Sequence, residues 1–154
     1  MRKYLMLLAG LCLICGAAWG QTAKNMSLIG QLSFQDGLAD VVGYKGGNTE
    51  YALVGHESGV GIVSLANPAN PVLLQDLPGI NTIWRELDVY QNYCYIVNEG
   101  GDGLRIVNLA NLPGNVSYKD TIINGMTTGH TLMVDGNRLY VYGADIDNGG
   151  VSIF

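Results

Sequence analysis

The chain has 154 residues, 48% of them hydrophobic, with 13 acidic side chains against 8 basic ones and a formal net charge of −5. No basic patch is present to hold a phosphate backbone, which argues against nucleic acid as a partner. The 22 glycines form no Gly-x-x-x-x-Gly-Lys phosphate loop, and neither a Gly-x-Ser-x-Gly elbow nor a His-Glu-x-x-His helix occurs.

The first 20 residues read as a secretory signal peptide. Arg2 and Lys3 precede an apolar run from Tyr4 to Cys15, and the small-residue stretch Gly16-Ala17-Ala18-Trp19-Gly20 follows, placing the cut after Gly20. The run is shorter than the roughly 20 residues that span a bilayer, so a retained membrane helix is the lesser alternative, and none is expected after cleavage. Leu11 and Ile14 precede Cys12 and Cys15, where a lipoprotein signal needs a small residue. Losing Arg2 and Lys3 leaves six basic side chains against 13 acids, a formal charge of −7, and a single cysteine, Cys94. Lying between Tyr93 and Tyr95 in a strand pattern, Cys94 reads as a buried structural thiol.

Residues 21–154 alternate apolar and polar positions between turn residues, and no segment carries sustained helical periodicity. An orphan strand is expected at 28–34. Strands follow at Leu38–Val42, Tyr51–Val54, Val60–Leu65 and Val72–Leu77, then at Glu86–Tyr90, Tyr93–Val97, Leu104–Leu109 and Val116–Ile123. A third set is Thr131–Val134, Leu139–Tyr142 and Val151–Phe154, with Asp135-Gly136 suited to the tight turn between its first two strands. These sets are copies. Tyr51-Ala52-Leu53-Val54 and Gly59-Val60-Gly61-Ile62-Val63 recur as Tyr95-Ile96-Val97-Asn98 and Gly103-Leu104-Arg105-Ile106-Val107, displaced by 44 residues, and begin again at Tyr140 and Gly150. A period of roughly 40 to 50 residues with four short strands predicts an all-β fold, a β-propeller of four-stranded antiparallel blades. Blade 1 spans about 38–77, blade 2 about 85–123 and an incomplete blade 3 about 130–154. The expectation is a propeller fragment whose orphan strand completes the last blade, with a short open stack of sheets as the alternative.

Several motifs carry a family likeness. Gly30-Gln31-Leu32, Glu50-Tyr51-Ala52-Leu53-Val54-Gly55, Asn67-Pro68-Ala69-Asn70-Pro71-Val72, Trp84-Arg85-Glu86-Leu87-Asp88-Val89-Tyr90 and Glu99-Gly100-Gly101-Asp102-Gly103-Leu104 make the chain resemble the N-terminal part of the choice-of-anchor B family. Its units are similar to LVIVD repeats, although Ser64 and Asn108 stand where such repeats often carry aspartate. The resemblance implies a secreted bacterial propeller held at the cell surface through a C-terminal region beyond these residues, with no biochemical activity established for the family.

Because strands of a blade run antiparallel, loops between second and third strands open on the same face as the connections between blades. That face should gather His56, Glu57, Trp84, Arg85, Glu99 and His130 as ligand-binding candidates. Trp84 and Arg85 could stack on a sugar or clamp a carboxylate. The structural alternative, which is the favoured one, packs Trp84 between blades and pairs Arg85 with Glu86 or a neighbouring acid. Asp102, Asp145 and Asp147 are the candidate metal ligands, although no Asp-x-Asp-x-Asp-Gly calcium loop is present. No cofactor is expected, with calcium the alternative.

The sequence thus points to a secreted or surface module that binds protein or glycan without catalysis, its further partners being the remaining blades. The rival is a propeller hydrolase or lyase, with calcium in the channel, whose site other blades complete. An isolated chain with an open blade edge is expected to be only marginally soluble or to self-associate. Sedimentation of the purified chain checks this; a cooperatively melting monomer counts against it.

Overall fold

The computed structural model describes residues 25–146 and 148–154, so the expected leader at 1–20 lies outside the described residues. Every regular element among them is a strand: β1 (Leu38–Gly46), β2 (Thr49–His56), β3 (Gly59–Ser64), β4 (Val72–Pro78), β5 (Arg85–Tyr90), β6 (Tyr93–Asn98), β7 (Leu104–Asn108), β8 (Ser117–Thr121), β9 (Thr131–Asp135), β10 (Arg138–Tyr142) and β11 (Val151–Ile153). Consecutive strands pair antiparallel into three sheets, β1 to β4, β5 to β8 and β9 to β11. Among the described residues no helix is long and apolar enough to cross a membrane.

Side-chain alternation explains how the sheets stack. On β6, Cys94 and Ile96 point to one side, where they join Leu53, Val60, Ile62 and Leu77 of the first sheet. Val97 points to the other, against Leu132, Leu139 and Val141 of the third. The middle sheet is therefore apolar on both faces, each buried Leu, Ile or Val contributing roughly 1.5–3 kcal/mol. Cys94 is a buried free thiol in this core, and burial pushes its acidity far below that of an ordinary cysteine.

The first strands β1, β5 and β9 lie side by side. Carboxylates join them: Asp40 on β1 accepts from the Leu87 amide of β5 at 2.9 Å, and Asp88 on β5 accepts from the Val134 amide of β9 at 2.6 Å. These amides lie on the strand edge that has no ladder partner, so each carboxylate satisfies a donor that burial would otherwise penalise.

Segment 28–34 differs from its expected strand. It forms no ladder among the described residues and lies over the outer face of the first sheet. Being a strand depends on an edge that offers unpaired groups, whereas this segment meets a face. Phe34 settles where Gly61 has no side chain, a Cβ there reaching within 2.6 Å of its ring. Met26, Leu28 and Ile29 stay exposed, as do Met133, Val151 and Ile153 of the third sheet.

Repeated glycines follow from repeated close approaches. A Cβ on Gly59 would lie 2.1 Å from the Leu77 carbonyl oxygen, and one on Gly103 would lie 2.5 Å from that of Thr121. The three hairpins that open the sheets repeat a backbone geometry as well. Each closes with two residues between paired positions, and the first of the two has a positive φ: Gly47 at 59°, Gln91 at 54° and Gly136 at 59°. In the third hairpin the central pair is Gly136-Asn137, one residue later than the sequence suggests, because Asp135 is paired with Arg138. Of these three turn residues Gln91 alone carries a Cβ, at a cost of roughly 1–2 kcal/mol in this left-handed region, partly offset by the 0.5–1 kcal/mol of entropy that glycine loses on folding. Gln91→Gly is therefore expected to stabilise the chain by about 0.5–1 kcal/mol, read as a higher urea midpoint at unchanged slope. A lower midpoint would show that the glutamine side chain holds the turn.

Candidate functional site

The turns between second and third strands and the connections between sheets form one hydrogen-bonded band. Gly79 N donates to Ser58 O at 2.8 Å, Thr82 N to Glu57 O at 2.9 Å, Glu99 N to Trp84 O at 3.0 Å, Gly103 N to Thr127 O at 2.8 Å and Gly129 N to Asn98 O at 3.0 Å. Loops tied to each other in this way hold their side chains in fixed relative positions.

Arg85 is the hub of the band and is 2% exposed. Its Nη2 donates to Ile80 O at 2.6 Å, while Nη1 reaches the carbonyls of His56, of Gly59 at 3.2 Å and of Glu57 at 3.4 Å. Burial, the largest cause, and the neighbouring charge of Arg105 push the guanidinium down from its ordinary value, while Asp102 opposes them. The expectation of a carboxylate clamp is corrected here, and so is the alternative of a pair with Glu86. The fork is occupied by main-chain oxygens, which the sequence could not reveal because every residue carries one.

His56 is buried between two aspartates. Its Nδ1 lies 3.0 Å from Asp36 and its Nε2 2.9 Å from Asp76, while Ser58 donates to Asp36 through both its amide at 2.9 Å and its hydroxyl at 2.6 Å. The Phe34 ring packs beside the imidazole, centroids 5.3 Å apart. A serine, a histidine and two carboxylates are therefore close, but not in the order of a nucleophilic triad. The serine proton points at Asp36, 2.6 Å away, with Nδ1 at 3.4 Å and Nε2 held by Asp76. The cluster works as a clasp that fastens residues 34–36 to the end of β2. Asp36 and Asp76 were absent from the sequence-level candidates because each stands 20 residues from His56, and only strand pairing brings them together.

Three other candidates do converge at the surface. Trp84 is 54% exposed, and its ring centroid lies 6.4 Å from that of His130. His130 Nδ1 lies 2.5 Å from Glu99 Oε1, and both side chains are largely exposed. The alternative that packed Trp84 between sheets is not what the structure shows.

The remaining acids are dispersed. Glu57 is exposed. Asp102 accepts from Asn98 Nδ2 and lies 4.0 Å from Arg105. Asp145 accepts from the amides of Thr127 at 2.9 Å and Thr128 at 3.1 Å, and the Thr127 hydroxyl first, then these amides, hold its carboxyl below the usual range. Asp147 lies outside the described residues. Among the described residues no three His, Cys, Asp or Glu side chains are placed to hold a metal together.

Comparison of the chain with protein-family models, with curated proteins and with solved structures finds no match.

The clasp has a pH consequence. Hydrogen bonds from the Ser58 hydroxyl and then from His56 hold the Asp36 carboxyl well below the usual carboxylate range. A depressed folded-state value stabilises the fold at pH above the unfolded value, and that contribution is lost as pH falls from about 5 toward the depressed value. Asp36→Asn should therefore melt lower than the parent chain at about pH 6, with the difference narrowing by about pH 3. A constant difference across a thermal-melt series would show that the clasp does not depend on the charge.

Proposed function

We propose that this chain is part of a secreted, cell-surface β-propeller of the LVIVD type, similar to choice-of-anchor B proteins, and that it binds protein or glycan noncatalytically through its loop face. The observation that carries the reading is Trp84, more than half exposed on a backbone tied at both ends and set beside the His130–Glu99 pair. Trp84 N donates to Thr82 Oγ1 at 3.0 Å, Trp84 O accepts from Glu99 N, and the adjoining Arg85 is anchored in the band. A large exposed aromatic on an anchored backbone is what a binding hot spot needs, because little backbone ordering entropy remains to be lost on contact.

Support for the propeller comes from sheets that meet face to face while their first strands lie side by side. The segment at 28–34 lies on the face of the first sheet that a preceding blade would cover, where the outer strand of such a blade belongs. A noncatalytic role accords with the engagement of His56 and Arg85, the two candidates best suited to proton transfer and charge stabilisation, in buried structural bonds.

The test is a binding screen of the purified chain against immobilised glycans and displayed peptides, repeated with Glu57→Ala, Trp84→Ala and Glu99→Ala combined. Binders of the parent chain are expected to weaken about tenfold or more, the equivalent of roughly 1.4 kcal/mol. Binders that ignore the triple variant, or no binder at all, would overturn the loop-face reading.

A further inference from the structure

We infer that Trp84, Glu99 and His130 form a subsite for an uncharged pyranose unit of a glycan, an inference that rests on the loop-face binding proposed above. The three side chains come from different parts of the chain: the connection after β4, the turn after β6 and the connection before β9. Together they supply what a sugar ring asks of a protein, namely a flat apolar surface flanked by groups that accept from its hydroxyls.

The indole provides the surface. Its negative face attracts the weakly positive C–H groups on one side of a pyranose, and more than half of the side chain is open to receive them. Polar specificity comes from the neighbouring pair. Glu99 Oε1 takes one imidazole nitrogen at 2.5 Å, which fixes the orientation of the His130 ring. Glu99 Oε2 and His130 Nε2 have no hydrogen-bond partner among the described residues, so an acceptor and a ring nitrogen remain for two hydroxyl groups. The indole and imidazole planes are tilted by 38°, with centroids 6.4 Å apart.

Charge selects among ligands. The two arginines at the band, Arg85 and Arg105, are buried on carbonyls and on Asp120, and offer nothing to a uronic or sialic carboxylate. Glu57, Glu99 and Asp145 are exposed on the same band, so an acidic sugar meets repulsion. A cationic side chain is the competing ligand, since the same acids would attract it, and the oligolysine titration below separates the two. An uncharged glycan fits these restrictions best.

The experiment titrates the full purified chain with neutral gluco-, manno-, galacto- and N-acetylglucosamine oligosaccharides, and with an oligolysine peptide, by calorimetry. Trp84→Ala, Trp84→Phe and Glu99→Gln are titrated alongside, each with its melting temperature measured. The expected result is binding of at least one neutral oligosaccharide, weakened about tenfold or more by Trp84→Ala, less by Trp84→Phe, and several-fold by Glu99→Gln, with unchanged melting. Oligosaccharide binding that Trp84→Ala leaves intact would overturn the subsite but not the glycan-binding reading. Binding of oligolysine alone, sensitive to Trp84→Ala, would overturn the sugar while leaving a loop-face site for protein. Failure of both ligands would overturn the subsite, and failure of the wider screen as well would overturn the loop-face reading with it.

Discussion

A buried guanidinium whose partners are main-chain carbonyls holds this architecture in register. Arg85 opens β5, yet its hydrogen bonds run back to the β2–β3 turn of the preceding sheet and to Ile80 in the connection between the sheets. A charge at that depth tolerates only a shell that satisfies its donors, so the turn, the connection and the strand must arrive together. Gly79 makes room for this, since a Cβ at that position would approach Arg85 Nη2 to 2.9 Å. Arg105, also buried, repeats the principle one strand pair later by joining Asp120, at 2.6 and 2.9 Å, to the Pro78 carbonyl.

Burial and exposure are divided between adjacent residues. Arg85 is withdrawn from solvent while Trp84, its neighbour, is open to it. The same division separates the histidines: His56 is enclosed by two aspartates and serves attachment, whereas His130 stands exposed with one carboxylate beside it. The two sit in one band and differ in role because one side chain faces the interior of a sheet stack and the other its rim.

The strand plan was legible in the sequence because it follows local rules. Apolar alternation marks β6 and β7, proline marks the turns after β3 and β7, and the recurrence of Gly59 as Gly103 marks a real contact with the neighbouring strand. Ends were less legible. β1 continues through Gly46, four residues past its expected stop, because pairing with β2 sustains it through Tyr44 and Lys45. Segment 28–34 has the composition of a strand, but a strand is defined by its partner. The candidate site was legible in its membership, since Trp84, Glu99 and His130 were all named from loop position. It was not legible in its division of labour, which depends on carbonyls and on residues 20 positions away.

The carboxylates of Asp40 and Asp88 give the stack a direction. Each leaves its own first strand and ends on the amide of the strand that opens the next sheet, Leu87 and then Val134, so the links run only from earlier to later chain. Each first strand thus carries the acceptor for an amide of the first strand beside it, and the two carboxylates fix the spacing of neighbouring sheets by the length of one side chain.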